Sequence, residues 1–162
     1  MHILDLKQVP HFLPTLAQWH QAQWSYLNPG ENLHHRIARM QEYLDEFFIP
    51  STFVAIDNNL AGSAAIVARD MDTRPDWGPW LASVYVAPEH RHKGIASALI
   101  KHVQQQAKQR GIDELFLFTP DAQVAFYLQR GWTLLEATDY RGSRVTIMSC
   151  RLEQSVRMRP HE

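Results

Sequence analysis

One stretch of this chain restricts its fold more than any other: Ala82-Ser83-Val84-Tyr85-Val86-Ala87-Pro88-Glu89-His90-Arg91-His92-Lys93-Gly94-Ile95-Ala96-Ser97. An apolar run with strand character stops at Ala87-Pro88, a basic turn follows, and a helix opens at Gly94. From Gly94 to Arg110 the residues Ile95, Ala98, Leu99, His102, Val103 and Ala107 recur at helical spacing, and Gly111 stands where a C-cap glycine is expected. A helix N-terminus carries unpaired amides and the positive end of the peptide dipole, so it attracts phosphate. Arg91, His92 and Lys93 add charge beside those amides, Gly94 lets a ligand approach the backbone, and Ala96 and Ser97 keep the first turn small. By residue type alone, a phosphate site and an ordinary strand-loop-helix junction with a solvated basic loop weigh evenly. A nucleotide P-loop fits poorly, because no Gly-Lys-Ser/Thr follows four spacer residues, and a dinucleotide turn would need three glycines.

The rest of the chain alternates between two periods. Ile3 to Leu6 reads as a short strand. Pro10 opens a helical region with Phe12, Leu16, Trp19 and Trp24 on one side, stopped by Asn28-Pro29-Gly30. A second helix carries Leu33, Ile37, Met40, Leu44 and Phe47 and closes at Pro50. Thr52 to Ile56 and Leu60 to Ala68 read as strands joined by a turn at Asp57-Asn58-Asn59. A loop rich in Asp, Pro and Trp spans Asp70 to Pro79, and Leu81 to Val86 forms the next strand. Beyond the helix at Gly94, Leu115 to Phe118 reads as a short buried strand. A helix from about Asp121 to Arg130 follows, ended by Gly131. Trp132 to Ala137 and Arg144 to Leu152 pair around Tyr140-Arg141-Gly142. This order of elements predicts one mixed α/β domain over residues 1–152, with a polar, frayed tail over 153–162.

Composition narrows the partners. A chain of 162 residues with 45% hydrophobic content suits one domain better than two. The formal net charge of −1 argues against a nucleic-acid partner held by broad phosphate neutralisation. No apolar run approaches the ~18 residues needed to cross a bilayer, and the first residues, MHILDLKQVPHF, do not read as a secretory signal. The expectation is a cytoplasmic protein without a membrane partner. Cys150 is the only cysteine, so no internal disulfide and no thiolate cluster can form, and its alternating setting reads as a small strand residue. Of nine histidines, only His34-His35 and His90-Arg91-His92 lie close together. Neighbouring helix positions diverge by about 100° and no further ligand completes either set, so no metal is expected.

With these residues in view, the chain resembles the GNAT (GCN5-related) N-acetyltransferases. Their signature, Arg/Gln-x-x-Gly-x-Gly/Ala, is matched by Arg91-His92-Lys93-Gly94-Ile95-Ala96. A strand ending in Val-x-Pro precedes it and an amphipathic helix ending in Arg110-Gly111 follows it. Asp121 to Trp132 resembles the family's next helix, which ends in Phe-Tyr-x-x-x-Gly-Phe/Trp. The resemblance extends from Ile3 to Leu152, with the first 50 residues matching only in layout. It implies a mostly antiparallel, twisted central sheet of about seven strands, split in a V between the fourth and fifth, with about four flanking helices.

The same resemblance implies the site. Acetyl-CoA is the co-substrate, its pyrophosphate held by the amides of His92, Lys93, Gly94, Ile95, Ala96 and Ser97, beside Arg91. The pantetheine arm pairs with the bulged strand edge at Val84, Tyr85 and Val86. Val84 or Tyr85 would donate an amide to the oxyanion of the attacked thioester, and Tyr127 would protonate the departing CoA thiolate. The expected reaction is transfer of an acetyl group to a primary amine by direct attack, since neither Cys150 nor an activated serine is placed as an acyl carrier. The glutamate that many relatives carry on one of the two central strands is missing: Ser83 stands on one, Phe116, Leu117 and Phe118 on the other. Asp76, Glu89 and Asp121 are the substitutes, each more often a solvated loop charge. The missing carboxylate leaves open an acyl-CoA sensor of the same fold that does no catalysis. Acceptor contacts would come from Trp24, Tyr26 and Asn28, from Trp77 and Trp80, and from Tyr140 with Arg141, aromatics being able to cradle an alkylammonium group. For any one of these, packing is the commoner explanation. A homodimer and a protein amine as acceptor both stay open.

Overall fold

The structure, a computed structural model, describes residues 1–153; of the expected polar tail, all but Glu153 lies outside the described residues. The strands are β1 (His2–Asp5), β2 (Ser51–Asp57), β3 (Asn59–Val67), β4 (Trp80–Val86), β5 (Glu114–Thr119), β6 (Thr133–Tyr140) and β7 (Ser143–Arg151). The α-helices are α1 (Leu13–Trp24), α2 (Leu33–Gln41), α3 (Ile95–Gln109) and α4 (Val124–Leu128). All seven strands form one sheet in the order β1-β2-β3-β4-β5-β7-β6. Every neighbouring pair is antiparallel except β4 and β5, which run parallel. This is the mixed α/β sheet that the sequence predicts.

Successive side chains of a strand point to opposite faces, and the cores follow that rule. Ala64 and Ile66 of β3 join the core under α3, which contributes Ile95, Leu99, Val103 and Ala107. Their neighbours Ala65 and Val67 turn to the opposite face, against Trp80, Tyr140 and Ile147. At the β1 end of that same sheet, Val54 meets Leu13, Leu16 and Ala17 of α1 and Met40 of α2. Leu16 and Leu99 are completely buried, each worth roughly 1.5–3 kcal/mol of transferred apolar surface.

Three sequence expectations need correction. The second helix does not reach Phe47: α2 stops at Gln41, a 3-10 turn covers Glu42–Leu44, and Phe47 is 65% exposed. The helix expected from Asp121 begins as a 3-10 turn over Asp121–Gln123, leaving α4 only five residues. The first strand runs His2–Asp5, and Leu6 instead opens a 3-10 turn capped by Asp5, with its side chain in the core. Asp57-Asn58-Asn59 does make the β2–β3 turn, with Asn58 at a φ of 65°.

Candidate active site

The sheet opens where β4 and β5 part. They share one register pair, Trp80 with Phe116, and Phe116 N donates to Pro79 O at 3.0 Å. On the other side, β4 pairs with β3 through an irregular register. Ser63 faces Tyr85 while Ala65 faces Ala82, so three steps on β4 answer two on β3. Ser83 absorbs the extra residue with a φ of 53°, a left-handed conformation unusual for a residue with a side chain. From the bulge onward, Val84, Tyr85 and Val86 have no β5 strand beside them.

Three features hold this bulge. Gly62 lies against it: a Cβ there would come within 2.5 Å of Tyr85 O. Ser63 Oγ donates to Ser83 O at 2.9 Å and lies 2.9 Å from His20 Nε2. With the hydroxyl hydrogen given to Ser83, the ring must supply the other one, so His20 carries its hydrogen on Nε2. Burial holds the ring neutral, with its pKa lowered to about 3 and the charges of Arg36 and Arg39 acting in the same direction. Finally, Tyr85 sits among aromatic rings of α1, with Trp19 at 5.6 Å and Trp24 at 6.2 Å between centroids.

A cleft of about 910 Å³ runs through the opening. At one end it meets the turn before α3. His92 and Gly94, on either side of Lys93, have φ values of 65° and 79°. Such turns direct successive amides toward one point and suit anions. Gly94 is the N-cap, and no side chain caps the fifteen-residue helix, so its first amides remain available. Arg91 Nε donates to Val86 O at 2.9 Å. Arg130, which sequence reasoning missed, lines the same end, its Nε donating to Ser97 Oγ at 2.7 Å and its guanidinium lying 3.6 Å from the Phe126 ring centroid. The Lys93 side chain turns elsewhere, 3.7 Å from Asp57 Oδ2, and does not line the cleft.

Tyr127 lines the middle of the cleft, and among the described residues its hydroxyl has no hydrogen-bond partner. Burial raises its pKa to about 12, so the phenol keeps its proton at neutral pH. Cys150 is half-buried on β7 near Gln104 Nε2, outside the cleft, and burial pushes its thiol up.

The far end is assembled from distant segments. Trp24 lines it from the end of α1, Tyr26 and Asn28 from the α1–α2 connection, Tyr140 from the end of β6 and Arg141 from the β6–β7 turn. Arg141 binds the two together: Nη1 donates to Leu27 O at 3.0 Å and to Asn28 Oδ1 at 2.8 Å, while Nη2 reaches Asp72 Oδ2 at 3.0 Å. Trp77 and Trp80 do not line the cleft. Trp80 is fully buried and donates to Trp77 O, and both rings pack on Phe116. Asp76, Glu89 and Asp121 also stay outside, Asp121 accepting from Thr146 Oγ1 at 3.1 Å.

Asp70 is the one acidic residue among the described residues that line the cleft. Desolvation raises its pKa to about 7, against the opposing effect of Arg39 and Arg141. Nothing local distinguishes it in the sequence, because it opens a loop that also holds Asp72, Pro75, Asp76 and Pro79. Among the described residues, no group of three or more His, Cys, Asp or Glu could hold a metal ion, and no helix is long and apolar enough to cross a membrane.

The family model for the acetyltransferase (GNAT) family matches residues 13–132. A streptothricin acetyltransferase of Streptomyces lavendulae is 38% identical over 68 residues, 41% of this chain. That match spans only about a third of the relative's length (34%). The fold is similar to a phosphinothricin acetyltransferase of Sinorhizobium meliloti, solved in complex with AcCoA, at a TM-score of 0.73 and 18% identity, covering 99% of this chain and 93% of that one. It is also similar to a ribosomal-protein-alanine N-acetyltransferase of Brucella melitensis, at 0.73 and 18%, covering 94% and 100%.

Proposed function

This chain belongs to the GNAT acetyltransferase family, and from that premise we propose that it transfers an acetyl group from acetyl-CoA to a primary amine by direct attack. The observation that carries the reading is the continuity of the cleft. It joins a helix N-terminus with free amides, a bulged strand edge without a β5 partner, and an unpartnered phenol.

The residues fit the co-substrate in three places. Amides of His92 to Ser97 suit a diphosphate, with Arg91 and Arg130 beside them as cations. The edge at Val84, Tyr85 and Val86 suits an extended arm that adds to the sheet. Acetyl-CoA supplies the thioester, and an amide of Val84 or Tyr85 would donate to its carbonyl oxygen as charge builds there. As the C–N bond forms and the C–S bond breaks, Tyr127, still protonated at neutral pH, would give its proton to the departing thiolate, and solvent would take the proton that the amine nitrogen sheds. Cys150 is a poor acyl carrier, being outside the cleft with a raised thiol pKa, which favours direct attack by the amine. An amine acceptor also accords with the named reaction of the Brucella melitensis neighbour.

The test has two parts. Calorimetry should show coenzyme A binding, and incubation with acetyl-CoA and a panel of amines should release free thiol. Binding without thiol release from any amine would support an acyl-CoA sensor instead.

A further inference from the structure

The charges at the acceptor end of the cleft are unevenly spread. Arg36, Arg39, Arg69 and Arg141 line it, and Asp70 is the only acid among the described residues that does so. Two of these guanidinium groups are structural. Arg36 is buried, with Nε on Gln21 Oε1 at 2.8 Å and Nη2 3.5 Å from Glu31, and Arg141 is occupied by Leu27, Asn28 and Asp72. The other two are more open to the cleft. Arg39 pairs with Glu31 Oε1 at 2.6 Å but is 44% exposed, while Arg69 is exposed and has no ion pair among the described residues. Arg39 also borders a second hollow of about 580 Å³, where Asn28 and Arg141 line both spaces. The carboxylate of Asp70 has neither a hydrogen bond nor an ion pair among the described residues, although Arg39 and Arg141 are near enough to act on it electrostatically.

A polycationic acceptor would meet more guanidinium groups than carboxylates here. A molecule with an ammonium and an acidic group on one carbon meets, in the same cleft, an unpaired carboxylate at Asp70, an unpaired guanidinium at Arg69 and a partly exposed one at Arg39. We infer that the acceptor is an amine of the α-amino-acid type, its ammonium held by Asp70 and its carboxylate or other oxyanion by Arg39 and Arg69. This rests on the acetyl-transfer reading and names the substrate class of the same site. Asp70 loses part of its charge below about pH 7, so acceptor binding should weaken as the pH falls through that value.

The test measures equilibrium binding to the CoA-loaded protein and, separately, thiol release from acetyl-CoA. The panel holds free L-amino acids and amino-phosphinates, the same molecules with the acid capped as an amide, and kanamycin as a polycation. The inference expects at least one acid-bearing amine to bind ten-fold or more tightly than its capped form. Arg69→Ala should erase that preference. Asp70→Asn should weaken acceptor binding ten-fold or more, remove its dependence on pH near 7, and leave CoA binding unchanged. Equal binding of capped and free forms, preference for kanamycin, or no binding by any acid-bearing amine would each overturn it. Acid-selective binding without thiol release would leave this assignment standing and sink the transfer reading instead, so the two failures are distinguishable.

Discussion

The two ends of the cleft are built by different means. The end at α3 is made of backbone: consecutive residues from Arg91 to Ser97 set their own dihedral angles and present their own amides. The acceptor end is made of side chains from the α1–α2 connection, α2, the residues after β3 and the β6–β7 turn. A backbone site tolerates exchange of its side chains as long as the turn keeps its shape. A side-chain site depends on each residue and on the fold that brings them together, and the contrast can be broken or sharpened by measurement.

The largest effect expected concerns the buried support between the two ends. His20 has a pKa of about 3 in the folded protein and an ordinary value of 6.5 when unfolded. Between these values the unfolded chain takes up a proton that the folded one refuses, so stability is lost as the pH falls from 6.5 toward 3, by about 3–5 kcal/mol. His20→Gln can still donate to Ser63 and has no such proton. Denaturant unfolding at several pH values should show a shallower acid limb in this variant. Parallel curves for the two proteins would mean that the ring is not buried neutral.

Next comes Tyr127→Phe, at the junction of the two ends. Loss of a general acid costs about 10²–10⁴ in rate, so turnover should fall by about a hundred-fold or more while the CoA dissociation constant stays within about two-fold. A comparable loss in both quantities would make the ring a packing element of the CoA site, and unchanged turnover across the pH range would remove it from the chemistry.

At the acceptor end, Asp70→Asn should raise stability. The carboxyl titrates near 7 when folded and at 3.8 when unfolded. The folded protein therefore holds a proton that the unfolded chain releases, and wild-type stability declines as the pH rises from about 4 to 7. The neutral amide escapes this penalty. At pH 8 the gain should be about 1–2 kcal/mol after allowing for the solvent that reaches the group, and below pH 4 it should vanish. A variant that is more stable yet binds the acceptor poorly is what a functional, unpaired carboxylate predicts.

How much of this was legible in the sequence follows from the same contrast. The junction from Ala82 to Ser97 is contiguous, so its strand, turn and helix can be read directly, and the two apolar runs on either side of Asp57-Asn58-Asn59 mark the β2–β3 hairpin. The bulge is less visible, because Ser83 is left-handed for reasons that lie on the neighbouring strand β3: the missing Cβ of Gly62 and the hydroxyl of Ser63. At the acceptor end, residue type misled. Trp77 and Trp80 look like a binding surface in a loop but pack against Phe116. Asp70 looks like one loop acid among several and is the one that lines the cleft. Arg130 follows the Phe-Tyr motif and gains its place only because the chain after α4 returns to Ser97. Long-range placement of this kind leaves no periodic trace in the sequence.

The smallest effect is the sharpest test of the backbone end. In the sequence, Lys93 stands in the middle of the basic turn and reads as a phosphate partner. In the structure its side chain is 53% exposed and its ammonium lies by Asp57, whereas Arg130 lines the cleft beside Ser97. An exposed pair of this kind contributes little and is screened by salt. Lys93→Ala should therefore change the CoA dissociation constant by less than about two-fold, because its amide remains. Arg130→Ala should raise that constant by about three- to ten-fold, with a reduced dependence on salt, as expected for a charge-assisted contact to phosphate. If Lys93→Ala proves the more damaging of the two, the side chain leaves Asp57 for the ligand, and this end of the cleft would depend on side chains as the other does.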